Sequence, residues 1–295
     1  MIKLKVERKL QYMSPSSLSN SEKQPNKFYL QRLVEDRLPR DPQGIPAAIG
    51  SAVDVLIKQR LMDNGVRPEK RAFVEDTLKD SVENEEFKEE AFEIAKRVTF
   101  NYAMEAIAQT DFRDIEIHEN FLFNPLNDGG IRLLGKLDCT YFDELMEVEA
   151  PHDLKCNGLN PANESTVSPK PGYYAQFKGR QQTKFGHKKY RIDIPMEEID
   201  YGWATQLCTY GWLMGLSPKL EDSFPCRIDQ ITKNKAGEFL FTLFRGMITP
   251  RFQREVYDRY AAMWYDIECG HFVKRLASRY DRNAVFTMST TESWF

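Results

Sequence analysis

With 295 residues, 41% hydrophobic and 29% charged side chains, the chain can bury a sizeable core and falls outside the disordered class. No apolar run approaches the length of a membrane span, and the N-terminal MIKLKVERKLQYM lacks a signal-peptide core, so the expectation is a cytoplasmic protein without membrane association. A net charge of −3 does not advertise a nucleic-acid binder, although a global sum can hide a local patch, and five scattered cysteines with no CxxC pair suggest neither a zinc ribbon nor a disulfide framework.

In chain order, residues 14–33 open with Ser/Pro capping signals and read as a short helix ending in Phe28-Tyr29-Leu30 and Leu33. A polar loop from Pro39 to Pro46 precedes a second helix near Ala47, whose Ile49, Ala52, Val53, Leu56 and Ile57 form one apolar stripe. Asp54 lies on the border of that stripe beside Gly50, where a carboxylate can lean over whatever the helix packs on; an ordinary boundary aspartate is the plainer reading. Residues 69–108 read as a charged helical segment with Ala91, Phe92, Ala95, Val98, Tyr102, Ala106 and Ile107 on its apolar face. It forms a helical insertion, about 60–110, packing over one side of the sheet that follows.

From Phe112 the period changes to two. Ile115, Ile117 and Phe121–Phe123 mark a strand, Asn127-Asp128-Gly129-Gly130 a hairpin turn, and Ile131–Asp138 the return strand. A further strand runs from Leu145–Ala150 on to Asp153-Leu154-Lys155. Alternation puts Asp153 and Lys155 on one side and Leu154 on the other, and strand pairing brings Asp138 toward Asp153. Two carboxylates and an ammonium at a strand end suit a hard divalent cation and a phosphodiester, whereas an isolated Asp-Leu-Lys is commonly a solvated strand end.

The segment 168–192 contains no acidic residue. Lys170, Lys178, Arg180, Lys184, Lys188, Lys189 and Arg191 alternate there with Tyr173, Tyr174, Phe177, Phe185 and Tyr190. Basic groups follow a phosphate backbone and rings stack on bases, so this reads as a flexible DNA-binding arm, against the plainer reading of a solvated basic loop. Residues 197–215 form a helix with Trp203, Leu207, Tyr210 and Met214 as its buried stripe and Gln206 one turn before Tyr210. Strands over Arg227–Thr232 and Glu238–Phe244 follow, then a helix after Pro250 that buries Phe252, Val256, Tyr260, Met263, Trp264 and Ile267, and an irregular tail from Ser278.

The ordered set Pro-x-x-Phe28-Tyr-Leu, Gly50-Ser-Ala-Val-Asp54, Gly135-Lys-Leu-Asp138, Asp153-Leu-Lys155 and Gln206-Leu-Cys-Thr-Tyr210 resembles the RecB-like branch of the PD-(D/E)XK nuclease superfamily, over roughly residues 14–275. The resemblance implies a single α/β domain over 1–295, a restriction-endonuclease-like mixed β-sheet flanked by helices with a helical insertion. It implies that Asp138 and Asp153, with the Leu154 carbonyl, ligate magnesium or manganese and that Lys155 acts on the attacking water. Gln206 and Tyr210 would support the site and contact DNA. The expected activity is a metal-dependent DNA exonuclease of replication, recombination or repair, with DNA and a recombination or replication protein as partners. An inactive DNA-binding component of the same fold and a structure-specific endonuclease are the rival readings.

Two positions depart from the family pattern. Histidine is usual where this chain has Asp54, and a carboxylate there is a candidate ligand for a hard cation. Many relatives bind an iron–sulfur cluster through cysteines before Pro-x-x-Phe-Tyr-Leu and near the C-terminus; Gln24 stands at the first position and no C-terminal cluster of cysteines follows, so no iron–sulfur cluster is expected.

Overall fold

Prolines, glycines and polar turn residues punctuate the chain, and the secondary elements begin and end at them. The computed structural model describes residues 2–71, 82–83, 85–127, 129–157, 159, 173–176, 181–183, 194–233 and 239–274. The strands are β1 (Ile2–Lys5), β2 (Phe112–Phe123), β3 (Ile131–Asp143), β4 (Val148–Cys156), β5 (Tyr173–Gln176), β6 (Gln181–Thr183), β7 (Phe224–Lys233), β8 (Phe239–Ile248) and β9 (His271–Lys274). The helices are α1 (Pro15–Lys23), α2 (Pro25–Arg32), α3 (Ile45–Asp63), α4 (Glu85–Glu105), α5 (Met196–Ile199), α6 (Tyr201–Leu213) and α7 (Pro250–Glu268).

Seven strands make a curled mixed sheet in the order β2-β3-β4-β7-β8-β5-β6, flanked by helices. Within it β4 and β7 run parallel and the other neighbours antiparallel, while β1 and β9 form a separate antiparallel pair. Two apolar cores result. One gathers α1, α2, α6 and α7 with Leu133 and Leu137 of β3; the other gathers α3 and α4 with Ile115, Cys139, Tyr141 and Leu154. Leu137 belongs to the first and Cys139 to the second, so Asp138 lies where β3 passes between them.

Most expected elements are present with shifted edges. The single helix expected over 14–33 is two, because Pro25 has no N–H to continue the ladder and Gln24 before it is held out of the helical region at φ −137°, ψ 60°. The helix expected over 197–215 is likewise broken, at Asp200, whose carboxylate accepts from the Trp203 N–H at 2.7 Å and starts α6. The return strand continues five residues past Asp138 to Asp143. Two short strands, β5 and β6, stand inside the segment expected to be a loop, and β1 and β9 were not expected at all. The acidic run 72–81 and the tail from 275 lie outside the described residues. Among the helices described, none is long and apolar enough to cross a membrane.

Two buried ion pairs, one within β7 and one between β8 and β3, anchor networks that link the central strands. Arg227 on β7 donates from Nε and from a terminal amino group to the Asp229 carboxylate at 2.7 Å each, and that carboxylate also accepts from the Tyr102 hydroxyl of α4 and lies 3.2 Å from Nε2 of His152 on β4. Burial pushes the Asp229 pKa up, but Arg227 and His152 outweigh it and hold the group well below the ordinary carboxylate range. Arg245 on β8 grips Asp143 of β3 in the same way, at 2.6 and 2.8 Å. Arg227→Met would leave Asp229 buried without its principal counter-charge, and urea unfolding should show a loss of about 3–5 kcal/mol.

Candidate functional site

The site begins where a ladder ends. β3 and β4 pair from Asp143 opposite Val148 to Cys139 opposite His152, and from His152 onward β4 pairs instead with β7. The next pair in register is Asp138 and Asp153. There the Asp138 carboxylate accepts the Leu154 N–H at 3.3 Å, and the Asp138 and Asp153 carboxyl groups lie close enough for each to act on the other's charge. The parting of two strands thus exposes a pair of carboxylates to each other, with Asp153 almost fully buried and Asp138 partly open.

α6 supplies the roof. It lies close on β3 at Gly135, where an added Cβ would sit 2.1 Å from a Leu213 methyl carbon and 3.2 Å from the Tyr210 ring. That approach brings Gln206 and Tyr210, one turn apart, over the carboxylates. Lys155 donates to Gln206 Oε1 at 2.8 Å and forms an ion pair with Asp153. The Gln206 amide nitrogen donates to Asp153 Oδ1 at 3.0 Å and to the Tyr210 hydroxyl at 2.8 Å. Its carbonyl therefore faces the ammonium and its amide N–H the carboxylate, an orientation that a Glu or Leu in its place could not reproduce.

α3 supplies a wall and a residue that sequence reasoning passed over. Lys58, one turn after Asp54 and only 1% exposed, places its ammonium 2.6 Å from Asp54 and 3.7 Å from Asp138. Asp54 therefore reaches the site's margin, as its place on the helix border suggested, but an ammonium stands between it and Asp138. The signal was available in principle: a lysine in an otherwise apolar stripe, four residues from an acid on the same helix. Among the described residues no three His, Cys, Asp or Glu side chains converge on one point.

Charge in the cluster is closely balanced. Three carboxylates, Asp54, Asp138 and Asp153, face two ammoniums, Lys58 and Lys155, and the shortfall of positive charge appears at Asp153. Burial, only partly offset by Lys155 and reinforced by Asp138, pushes its pKa up to about 7. Burial also acts on Asp138, but Lys58 first, then Lys155 and the Leu154 N–H, lower its pKa below the ordinary value. Burial disfavours the Lys155 charge, yet Asp153 and Asp138 more than compensate and raise its pKa. Cys156, next along β4, is pushed up to about 12 by burial and then by Asp54 and Asp138, so it stays a thiol.

Of the residues singled out in the sequence, Asp138, Asp153, Leu154, Lys155, Gln206 and Tyr210 come together, with Asp54 alongside. Tyr173 and Tyr174 fall on β5, three strand positions from β4, or about 14 Å at the usual strand spacing. Lys170, Lys178, Arg180, Lys184, Lys188, Lys189 and Arg191 lie outside the described residues.

An infrared pH titration tests the raised pKa of Asp153. A protonated-carboxyl band should be present below neutrality, vanish as pH rises through about 7, and be missing from Asp153→Asn. Removing the Lys58 charge deprives Asp138 of its principal electrostatic support, so in Lys58→Met the pair should keep its proton to higher pH, whereas Lys58→Arg should titrate near the parent. A midpoint unmoved by Lys58→Met would mean that this ammonium does not act on the pair.

Compared with known proteins, the chain matches no protein-family model and no curated protein.

Proposed function

We infer that this chain is a divalent-metal-dependent deoxyribonuclease, an exonuclease acting in DNA replication, recombination or repair, with a restriction-endonuclease-like core of the RecB-like PD-(D/E)XK branch. One observation carries the reading: Asp138 and Asp153 are held against each other at the end of the β3–β4 ladder with Lys155 locked onto Asp153. Two largely buried carboxylates facing each other favour a proton or a cation between them, and this donor set fits magnesium or manganese, which take one or two carboxylates and fill the remaining positions with water and substrate oxygen. Asp138 and Asp153 would hold the ion, with the Leu154 carbonyl beside them; when bound, such an ion lowers the pKa of a water and neutralises charge building on phosphate.

The chain's own groups do the rest. Lys155, fixed between Asp153 and Gln206, presents an ammonium where a phosphate oxygen or the attacking water would lie and stabilises negative charge in the transition state. Gln206 holds Asp153 and Lys155 in register and is itself braced by Tyr210, so two side chains of α6 keep the geometry fixed before substrate arrives. Lys58 supports the ionised form of Asp138 from the far side.

A second reading, a DNA-binding component without cleavage, draws on Lys58, whose ammonium between Asp54 and Asp138 already balances part of the site's charge without any metal. End-labelled linear DNA incubated with magnesium, manganese or chelator separates the two. The nuclease reading expects metal-dependent release of short products, intact closed circles, and loss of at least about a thousandfold in rate for Asp153→Ala and Lys155→Ala. Retention of DNA with no product under any metal would favour the binder.

A further inference from the structure

A groove of about 990 Å³ opens beside Gln206 and Tyr210 and runs between α1 and the start of α6 toward Arg32 and Arg40. Its walls are electrically unequal. Among the described residues five lysines and arginines line it (Lys23, Arg32, Arg40, Lys136, Arg259) against two acids, Glu22 and Asp200. Both acids are already engaged: Glu22 takes a two-pronged ion pair from Arg259 at 2.7 and 2.6 Å, and Asp200 caps α6. Lys23, Arg32 and Arg40 have no carboxylate partner among the described residues. Arg32 is partly buried with Arg40 and Arg37 near enough to oppose its charge, an arrangement unfavourable on its own and relieved by an anion.

The groove is also aromatic. Tyr12, Tyr201 and Trp203 line it, and Tyr201 is 43% exposed with its ring face against the Arg259 guanidinium. Lys23, Arg32 and Arg40 on one hand and these rings on the other are the two halves of a single-strand platform: the cations follow the phosphates and the rings stack on bases. Its volume is that of a large small-molecule pocket, enough for a few nucleotides of one strand.

We propose that this groove binds single-stranded DNA, with Arg32 and Arg40 gripping phosphates away from the bond to be cut, and that it leads one strand to the carboxylates under Gln206. The proposal rests on the nuclease reading for what happens at the strand's far end, but the binding itself does not. None of the described residues of segment 168–192, which are 173–176 and 181–183, lines the groove.

Binding is measured by fluorescence anisotropy in chelator, so that no cleavage occurs, with a short fluorescein-labelled oligonucleotide and its blunt duplex across a range of salt. The single strand should bind about tenfold or more tighter than the duplex. Arg32→Gln/Arg40→Gln should weaken single-strand binding about tenfold and reduce the salt slope by about 1.4, two phosphate contacts at roughly 0.7 each. Arg32→Lys/Arg40→Lys, which keeps the charge, should recover most of the slope, and thermal melting followed by circular dichroism should match the parent in both variants. Unchanged affinity and slope in the Gln variant, or a duplex bound as tightly as the single strand, would overturn the proposal. Loss of binding in the Gln variant together with no cleavage by the parent under any metal would leave the groove standing and remove the nuclease reading; cleavage with an unchanged slope would do the reverse.

Discussion

Everything at the centre of this protein follows from two carboxylates placed where they repel. Asp138 and Asp153 meet because β4 changes partner, leaving β3 for β7 at His152, so that the residues just beyond the last backbone pair face one another through their side chains. Their mutual repulsion is answered by Lys155 on one flank and by Lys58 on the other, and what is left raises the Asp153 pKa. A site so close to balance responds to any added charge, and a divalent cation or a phosphate each supplies one.

Holding such a pair requires a stiff frame. The Arg245–Asp143 pair spans β8 and β3, while the Arg227–Asp229 pair lies within β7 and reaches across to His152 of β4, the residue immediately before Asp153. Buried pairs of this kind add little net stability over apolar packing, but they are costly to separate, so they set the relative placement of β3, β4, β7 and β8. From above, the lack of a side chain at Gly135 allows α6 to settle on β3, and Gln206 then serves as a strut with both ends of its amide occupied.

The groove meets the roof of the carboxylate pair at Gln206 and Tyr210. The pair sits at the border of the two apolar cores, and the groove beside it carries a surplus of cations whose own acids are neutralised locally. A chain with an overall charge of −3 can therefore present a positive path along one face. Local geometry, not the sum of charges, decides what approaches it.

Period-two alternation and turn chemistry made β2 to β4 legible from the residues alone, and with them the approach of Asp138 to Asp153; the i,i+4 spacing likewise set Gln206 beside Tyr210. These are properties of neighbouring residues, carried by the fixed rise of a strand and the 3.6-residue turn of a helix. The place of Lys58 between Asp54 and Asp138, the strut from Gln206 to Lys155, the pairing of β1 with β9 and the convergence of Arg32 on the groove were decided only in three dimensions. Each joins segments far apart in the chain, and no local pattern encodes which distant face a helix will meet, because that choice belongs to the packing of the two cores as a whole.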